Sequence, residues 1–233
     1  MKNLIRHTLF ASIIAACALP AYAQEQVEQP HREFYEWTDV WIPGGNNTDK
    51  PRILLIGNSI TRGYQPKVEK MMADRAYVAR FSTSKSVGDP ALLDELEGVM
   101  KNTCFDIVQF NNGLHGMEYT DEEYEKAFPD FVAMIKKYAP GACLIWANFT
   151  PLYQAPEMTE ITEHSLRGNA RNEIALRLLK DENVEINDLH SVMVGHPEYY
   201  LQGDGSHPRE AGYEALARKV VEVLDGALKK IGK

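Results

Sequence analysis

From Arg52 onward, short runs of uninterrupted apolar residues alternate with longer stretches of helical spacing. Ile53-Leu54-Leu55-Ile56 is apolar at every position, the mark of a strand covered on both faces. Tyr77–Phe81, Phe105–Phe110, Leu144–Ala147 and Val184–Ile186 read as four further strands. Between them, Val68, Met71 and Met72 suggest a short helix. Leu92, Leu93, Leu96 and Met100 form an apolar stripe behind Asp89, a natural N-cap. Thr120, with Glu123 three residues later, opens a helix through Phe128, Phe131, Met134 and Ile135 that stops at Tyr138-Ala139-Pro140-Gly141. A helix covers 162–180. The last helix starts after His207-Pro208 and ends at Leu228-Lys229-Lys230, with cations at its negative pole.

Strands alternating with helices of about 12–20 residues make βαβ units, hence a parallel sheet with helices on both sides. Five strands predict an α/β, flavodoxin-like sheet. In such sheets, sites lie beyond the carboxyl ends of the strands.

The start of the chain is of another kind. Lys2, Arg6 and His7 precede the apolar run Leu9–Leu19, which is too short to span a bilayer as a helix, and Ala21-Tyr22-Ala23 follows. Residues 1–23 read as a secretory signal, giving an exported protein, periplasmic or secreted. Ile14-Ala15-Ala16-Cys17 also resembles a lipobox, so a lipid anchor at Cys17 is the competing form. Residues 24–50 are polar, with Pro30, Pro43, Gly44 and Gly45, and carry Phe34, Tyr35, Trp37 and Trp41. They read as an extension that lays aromatic rings on a main domain at 51–233.

The 233 residues are 44% hydrophobic and 25% charged, the composition of a globular domain rather than a disordered one. The formal net charge is −8 and becomes −10 if Lys2 and Arg6 leave with the signal. An acidic chain without a basic run makes nucleic acid a poor partner. There is no Cys-x-x-Cys and no His-Glu-x-x-His, so no metal is expected. In the exported chain Cys104 and Cys143 remain, expected as two buried free thiols.

The candidate chemistry lies where strands end. The first strand runs into Gly57-Asn58-Ser59-Ile60-Thr61, which sets Ser59 on a tight turn before a helix. Ser59 alone could be a helix cap. A serine hydroxyl becomes a nucleophile when a base takes its proton. His207, in Gly203-Asp204-Gly205-Ser206-His207-Pro208, lies on another loop at the same sheet edge. Asp204, three residues earlier, can hold the imidazole in the right tautomer. Acyl transfer also needs donors for an oxyanion. Gly88 after the second strand can offer a backbone N–H, and Asn111 after the third an amide.

These blocks, Gly57-Asn58-Ser59-Ile60-Thr61, Gly88, Asn111 and Asp204-x-x-His207, resemble those of the SGNH (GDSL-type) hydrolases over roughly residues 51–233. The resemblance implies a three-layer α/β/α fold and ester hydrolysis through a serine acyl-enzyme, with no cofactor. In that scheme Ser59 is the nucleophile, His207 the base and acid, and Asp204 its orienter. The backbone N–H groups of Ser59 and Gly88 and the Asn111 side chain form the oxyanion hole. Asn112 is the alternative to Asn111, because the usual Gly-x-Asn-Asp here reads Gln109-Phe110-Asn111-Asn112. Asn112 and His115 are further candidates for substrate contact. Asp188 reads as a cap or turn, and His190 and His196 as structural or solvated. Trp37, Trp41 and Trp146 read as packing, and Arg62 and Lys85 as surface charge.

The expected activity is that of an exported carbohydrate O-acetylesterase acting on a small-molecule or glycan ester. Two alternatives stand beside it: a lipid esterase or lysophospholipase, and a noncatalytic glycan-binding protein of the same fold.

Overall fold

The computed structural model describes residues 29–233. The signal reading of 1–23, Cys17 and the first residues of the extension lie outside the described residues.

The elements run β1 (Thr38–Trp41), β2 (Arg52–Gly57), α1 (Ser59–Met71), β3 (Tyr77–Thr83), α2 (Pro90–Met100), β4 (Ile107–Phe110), α3 (Asp121–Tyr138), β5 (Cys143–Ala147), α4 (Glu163–Leu179), β6 (Val184–Asn187), α5 (His190–Met193) and α6 (Glu210–Lys230). One mixed sheet carries the strands in the order β1-β3-β2-β4-β5-β6. The five strands from β3 to β6 are mutually parallel, as the alternating pattern requires. The expectation of five strands needs correction: β1, from the polar extension, pairs antiparallel with β3, Thr38 opposite Thr83 and Trp41 opposite Arg80. Its side chains are mostly exposed, so it lacks an apolar rhythm. Main-chain bonds and Arg80 Nε on Asp39 Oδ1 at 2.8 Å hold it instead.

β2 is buried at all six positions because both of its faces are covered. Ile53 and Leu55 pack on α1 and α6, with Tyr64, Val68, Leu216, Val220 and Leu224. Leu54 and Ile56 pack on α2 and α3, with Leu92, Leu96, Phe128 and Phe131. Each fully buried side chain of this size contributes about 1.5–3 kcal/mol. The result is a three-layer α/β/α sandwich.

Local signals set the helix starts. Asp89 accepts from the Ala91 N–H at 2.9 Å, and Thr120 and Glu123 form a reciprocal capping box. α1 is longer than the short helix expected around Val68: it begins at Ser59, directly after β2. The thiols also differ from expectation. Both are free, but Cys104 is exposed and Cys143 half-buried, since Cys104 precedes β4 rather than lying in it.

β2 is flanked by β3 on one side and β4 on the other: the chain passes from β2 to β3 and then crosses back past β2 to β4, so the strand order reverses here. Its carboxyl end therefore opens a crevice, the place where open α/β sheets bind ligands.

Candidate active site

Three residues in sequence carry the chain from β2 into the crevice. A Cβ on Gly57 would lie 2.1 Å from Thr61 Oγ1, so only glycine permits this entry into the helix. Asn58 Oδ1 accepts from the Ile60 N–H at 2.9 Å and caps α1. Ser59 is the first helical residue. Its own N–H has no intrahelical acceptor and sits at the positive end of the α1 dipole.

The partner loop comes from 148 residues further along. Gly205 has φ +65°, and a Cβ there would lie 1.9 Å from Tyr153 O, so the turn demands glycine. The turn brings the N–H groups of Ser206 and His207 onto Asp204 Oδ1 at 2.6 and 2.8 Å. Asp204 Oδ2 meets His207 Nδ1 at 2.9 Å, and His207 Nε2 meets Ser59 Oγ at 3.0 Å. Three groups from two ends of the sequence thus form one hydrogen-bonded chain. A carboxylate on Nδ1 leaves the Nε2 lone pair facing the serine hydroxyl. Burial alone would raise the Asp204 pKa. The His207 and Ser206 N–H groups and the imidazole outweigh it, and the carboxyl titrates below the ordinary aspartate range.

Ser59 and His207 open into a cavity of about 430 Å³. Its walls mix polar groups, Glu33, Arg62, His115 and His164, with the apolar Trp37, Leu114 and Leu152. His115 lines this cavity, and its Nδ1 lies 2.6 Å from Glu33 Oε1. Glu33 and Trp37 belong to the N-terminal extension, which is tied down by Arg32 Nε on Asp89 Oδ2 at 2.9 Å and by Glu36 accepting from Ser84 Oγ at 2.7 Å.

The remaining candidates fall elsewhere. Asn111 is buried at the end of β4, and its Nδ2 donates to Ala147 O at 2.6 Å. Asn112 clamps the loop before α2: its Oδ1 accepts from the Val87 N–H at 3.2 Å and its Nδ2 donates to Lys85 O at 2.9 Å. It does not line the Ser59 cavity. Gly88 lies against Tyr119, whose ring is 2.7 Å from where a Cβ would stand, and lines a separate hollow with Pro30 and His31. Asp188 accepts from the Ser191 N–H at 3.1 Å in the turn that leads into α5. Lys85 is buried, on Glu95 at 3.1 Å, rather than solvated.

Several residues escaped the sequence reading. His164 lines the cavity with its Nε2 2.7 Å from Leu114 O. Arg171, wholly buried, donates to Gly113 O, His115 O, Gly116 O and Tyr119 O at 2.8–3.2 Å and fixes the loop that carries His115. A signal for Arg171 existed: Ser165, Gly168, Arg171, Asn172 and Ala175 share the buried face of α4 at helical spacing. Gln109 makes a buried relay beneath α1, accepting from Asn187 Nδ2 at 2.8 Å and donating to Tyr64 OH at 3.2 Å. Burial pushes the Tyr64 phenol up to about 12, so it stays neutral.

Among the described residues, no group of three or more His, Cys, Asp or Glu could hold a metal ion. Among them also, no helix is long and apolar enough to cross a membrane.

No protein-family model matches the sequence, nor does any curated protein sequence. Solved structures do match in fold. An acylhydrolase proposed from Bacteroides fragilis superposes with a TM-score of 0.62 at 17% identity, covering 78% of this chain and 90% of that one. A GDSL-like lipase from Bacteroides thetaiotaomicron gives 0.58 at 17%, covering 76% and 89%. The lipase/acylhydrolase from Enterococcus faecalis gives 0.57 at 20%, covering 76% and 96%.

Proposed function

We propose that this chain, built on the fold of the SGNH (GDSL-type) hydrolases, is a serine esterase that cleaves carboxylic esters through an acyl-enzyme. The observation that carries the reading is the unbroken hydrogen-bonded chain from Asp204 through His207 to Ser59, with steps of 2.9 and 3.0 Å at the mouth of a cavity.

Ser59 Oγ attacks the acyl carbon as its proton passes to His207 Nε2. The carbonyl electron pair moves onto oxygen, and the new imidazolium is stabilised by Asp204. The oxyanion meets the Ser59 N–H, reinforced by the α1 dipole. Asn111, buried at the end of β4 with one amide N–H on Ala147 O, would have to turn its other N–H toward the acyl oxygen to serve as the second donor. One such donor lowers the barrier by about 3–4 kcal/mol. Collapse breaks the C–O bond, His207 returns its proton to the departing alcohol, and Ser59 keeps the acyl group. Water then attacks the acyl carbon, giving its proton to the same imidazole; collapse breaks the bond to Ser59 Oγ, which takes that proton back from His207, and the free acid leaves. Gly88, set apart from the cavity, takes no part in this scheme.

The substrate we favour is an acetyl ester of a carbohydrate. A cavity of about 430 Å³ has room for one sugar ring and a short acyl group, and the polar side chains among its lining suit hydroxyl groups. The basic, then apolar, then Ala-Tyr-Ala start of the sequence supports export.

Hydrolysis of p-nitrophenyl acetate by wild type and Ser59→Ala tests the chemistry: kcat should fall by about 10⁴ or more. Equal rates would reject the esterase reading and leave a binding protein. Comparing acetyl with octanoyl esters tests the substrate, and a preference for octanoyl would favour the lipid alternative.

A further inference from the structure

Arg62 sits on α1, three residues past Ser59, and lines the same cavity. Its guanidinium lies over the Trp37 ring, 4.7 Å from the centroid. Stacking on an indole fixes a side chain that would otherwise sample many rotamers. Arg32, Arg80 and Arg177 each sit on a carboxylate; among the described residues Arg62 is paired with none. The two acids nearest the cavity are already engaged. Glu33 holds His115 Nδ1 at 2.6 Å, and Asp204 takes three N–H groups from Ser206 and His207. A preorganised cation without an anion of its own therefore faces the space next to the reactive hydroxyl.

We propose that Arg62, clamped on Trp37, selects esters whose alcohol part carries a carboxylate, so that the substrate is an acylated acidic sugar of the uronate type. The planar fork of a guanidinium matches a carboxylate in a bidentate way that a lysine does not. One turn of helix separates Arg62 from Ser59, and a cavity the size of one sugar ring spans both groups. The inference rests on the esterase reading and names the substrate class of that same site.

The test uses two matched esters, 3-carboxyphenyl acetate and its neutral partner 3-carbamoylphenyl acetate, with the 4-substituted pair as a second geometry. The readout is the ratio of kcat/KM, anionic over neutral. Wild type should favour the anionic ester by about tenfold or more, the scale of one charge-assisted hydrogen bond. Arg62→Gln should bring the ratio near one. Arg62→Lys should restore it only in part. Raising salt to about 0.5 M should shrink the wild-type ratio, because the pair is open to solvent. A wild-type ratio at or below one, or a ratio unchanged in Arg62→Gln, overturns the proposal while leaving the esterase reading intact. If wild type cleaves neither ester faster than Ser59→Ala does, both fall together.

Discussion

Replacing Asp204 by Asn would separate catalytic orientation from folding. Asp204 Oδ1 accepts the Ser206 and His207 N–H groups, and Oδ2 accepts from His207 Nδ1. Asparagine keeps one oxygen for the turn, so the loop closes as before. Its amide, however, points an N–H at Nδ1. The imidazole then holds its proton on Nε2, facing Ser59, and cannot take another in the first step. In a Ser-His-Asp arrangement this error costs up to about 10⁴ in kcat, or about 5.4 kcal/mol. The Asp204 side chain is 41% exposed, so solvent and salt reduce its ionic contribution to stability to below about 1 kcal/mol. Stopped-flow or steady-state hydrolysis of p-nitrophenyl acetate reads the first effect and thermal unfolding the second. Asp204→Asn should lose at least about 10² in kcat with little change in Tm. A loss below tenfold would refute the orienting role, and an unfolded variant would show that the turn depends on the charge.

Three further outcomes follow from the packing. Arg171→Met leaves four loop carbonyls without their donor and should cost about 3 kcal/mol, lowering Tm by roughly 6–12 °C; a change under 2 °C would mean that the 113–119 loop holds itself. Burial lowers the His190 pKa, and nearby Asp188 only partly opposes it, so the folded state binds fewer protons there than the unfolded state. Stability is then full above about 6.5 and lost as pH falls through the folded value; His190→Gln should flatten the Tm profile between pH 7 and 5, and an unchanged slope would contradict this. Gly57→Ala should cost about 1–3 kcal/mol and lower kcat as well, because the added methyl displaces Thr61 and with it the start of α1; a fully active, equally stable variant would show that α1 can shift without losing Ser59.

Much of the fold was readable from local rules. β2 announces itself by apolar residues at every position, since both faces are covered, and α2 and α3 by caps at Asp89 and Thr120. β1 was invisible because a four-residue edge strand with exposed side chains is specified by main-chain pairing to β3, 45 residues away at Thr38 and Thr83. The beginning of α1 was obscured by Gly63 and Pro66, both weak helix formers, which the buried Ile60, Tyr64 and Val68 override through packing. At the site, Ser59 could be singled out because it follows directly on an all-apolar strand, and Asp204 and His207 because Asp-x-x-His-Pro sits just before the last helix. Glu33, Trp37 and His164 could not. They reach the cavity through long-range contacts, such as Arg32 on Asp89, that no local pattern encodes. Gly88 and Asn112 illustrate the reverse: the right residue types in the right loops, but facing Tyr119 and the 85–87 backbone rather than the cavity.

The central claim is that the Ser59 oxygen is nucleophilic because His207 draws on its proton. Incubation with a fluorophosphonate, followed by intact-mass and peptide mapping, measures this at the atom concerned: the Oγ–P bond forms as fluoride leaves. One adduct per chain is expected, on the peptide containing Ser59, with labelling slowed by orders of magnitude in His207→Ala. An unmodified protein, an adduct on another residue, or equal labelling without His207 would contradict it.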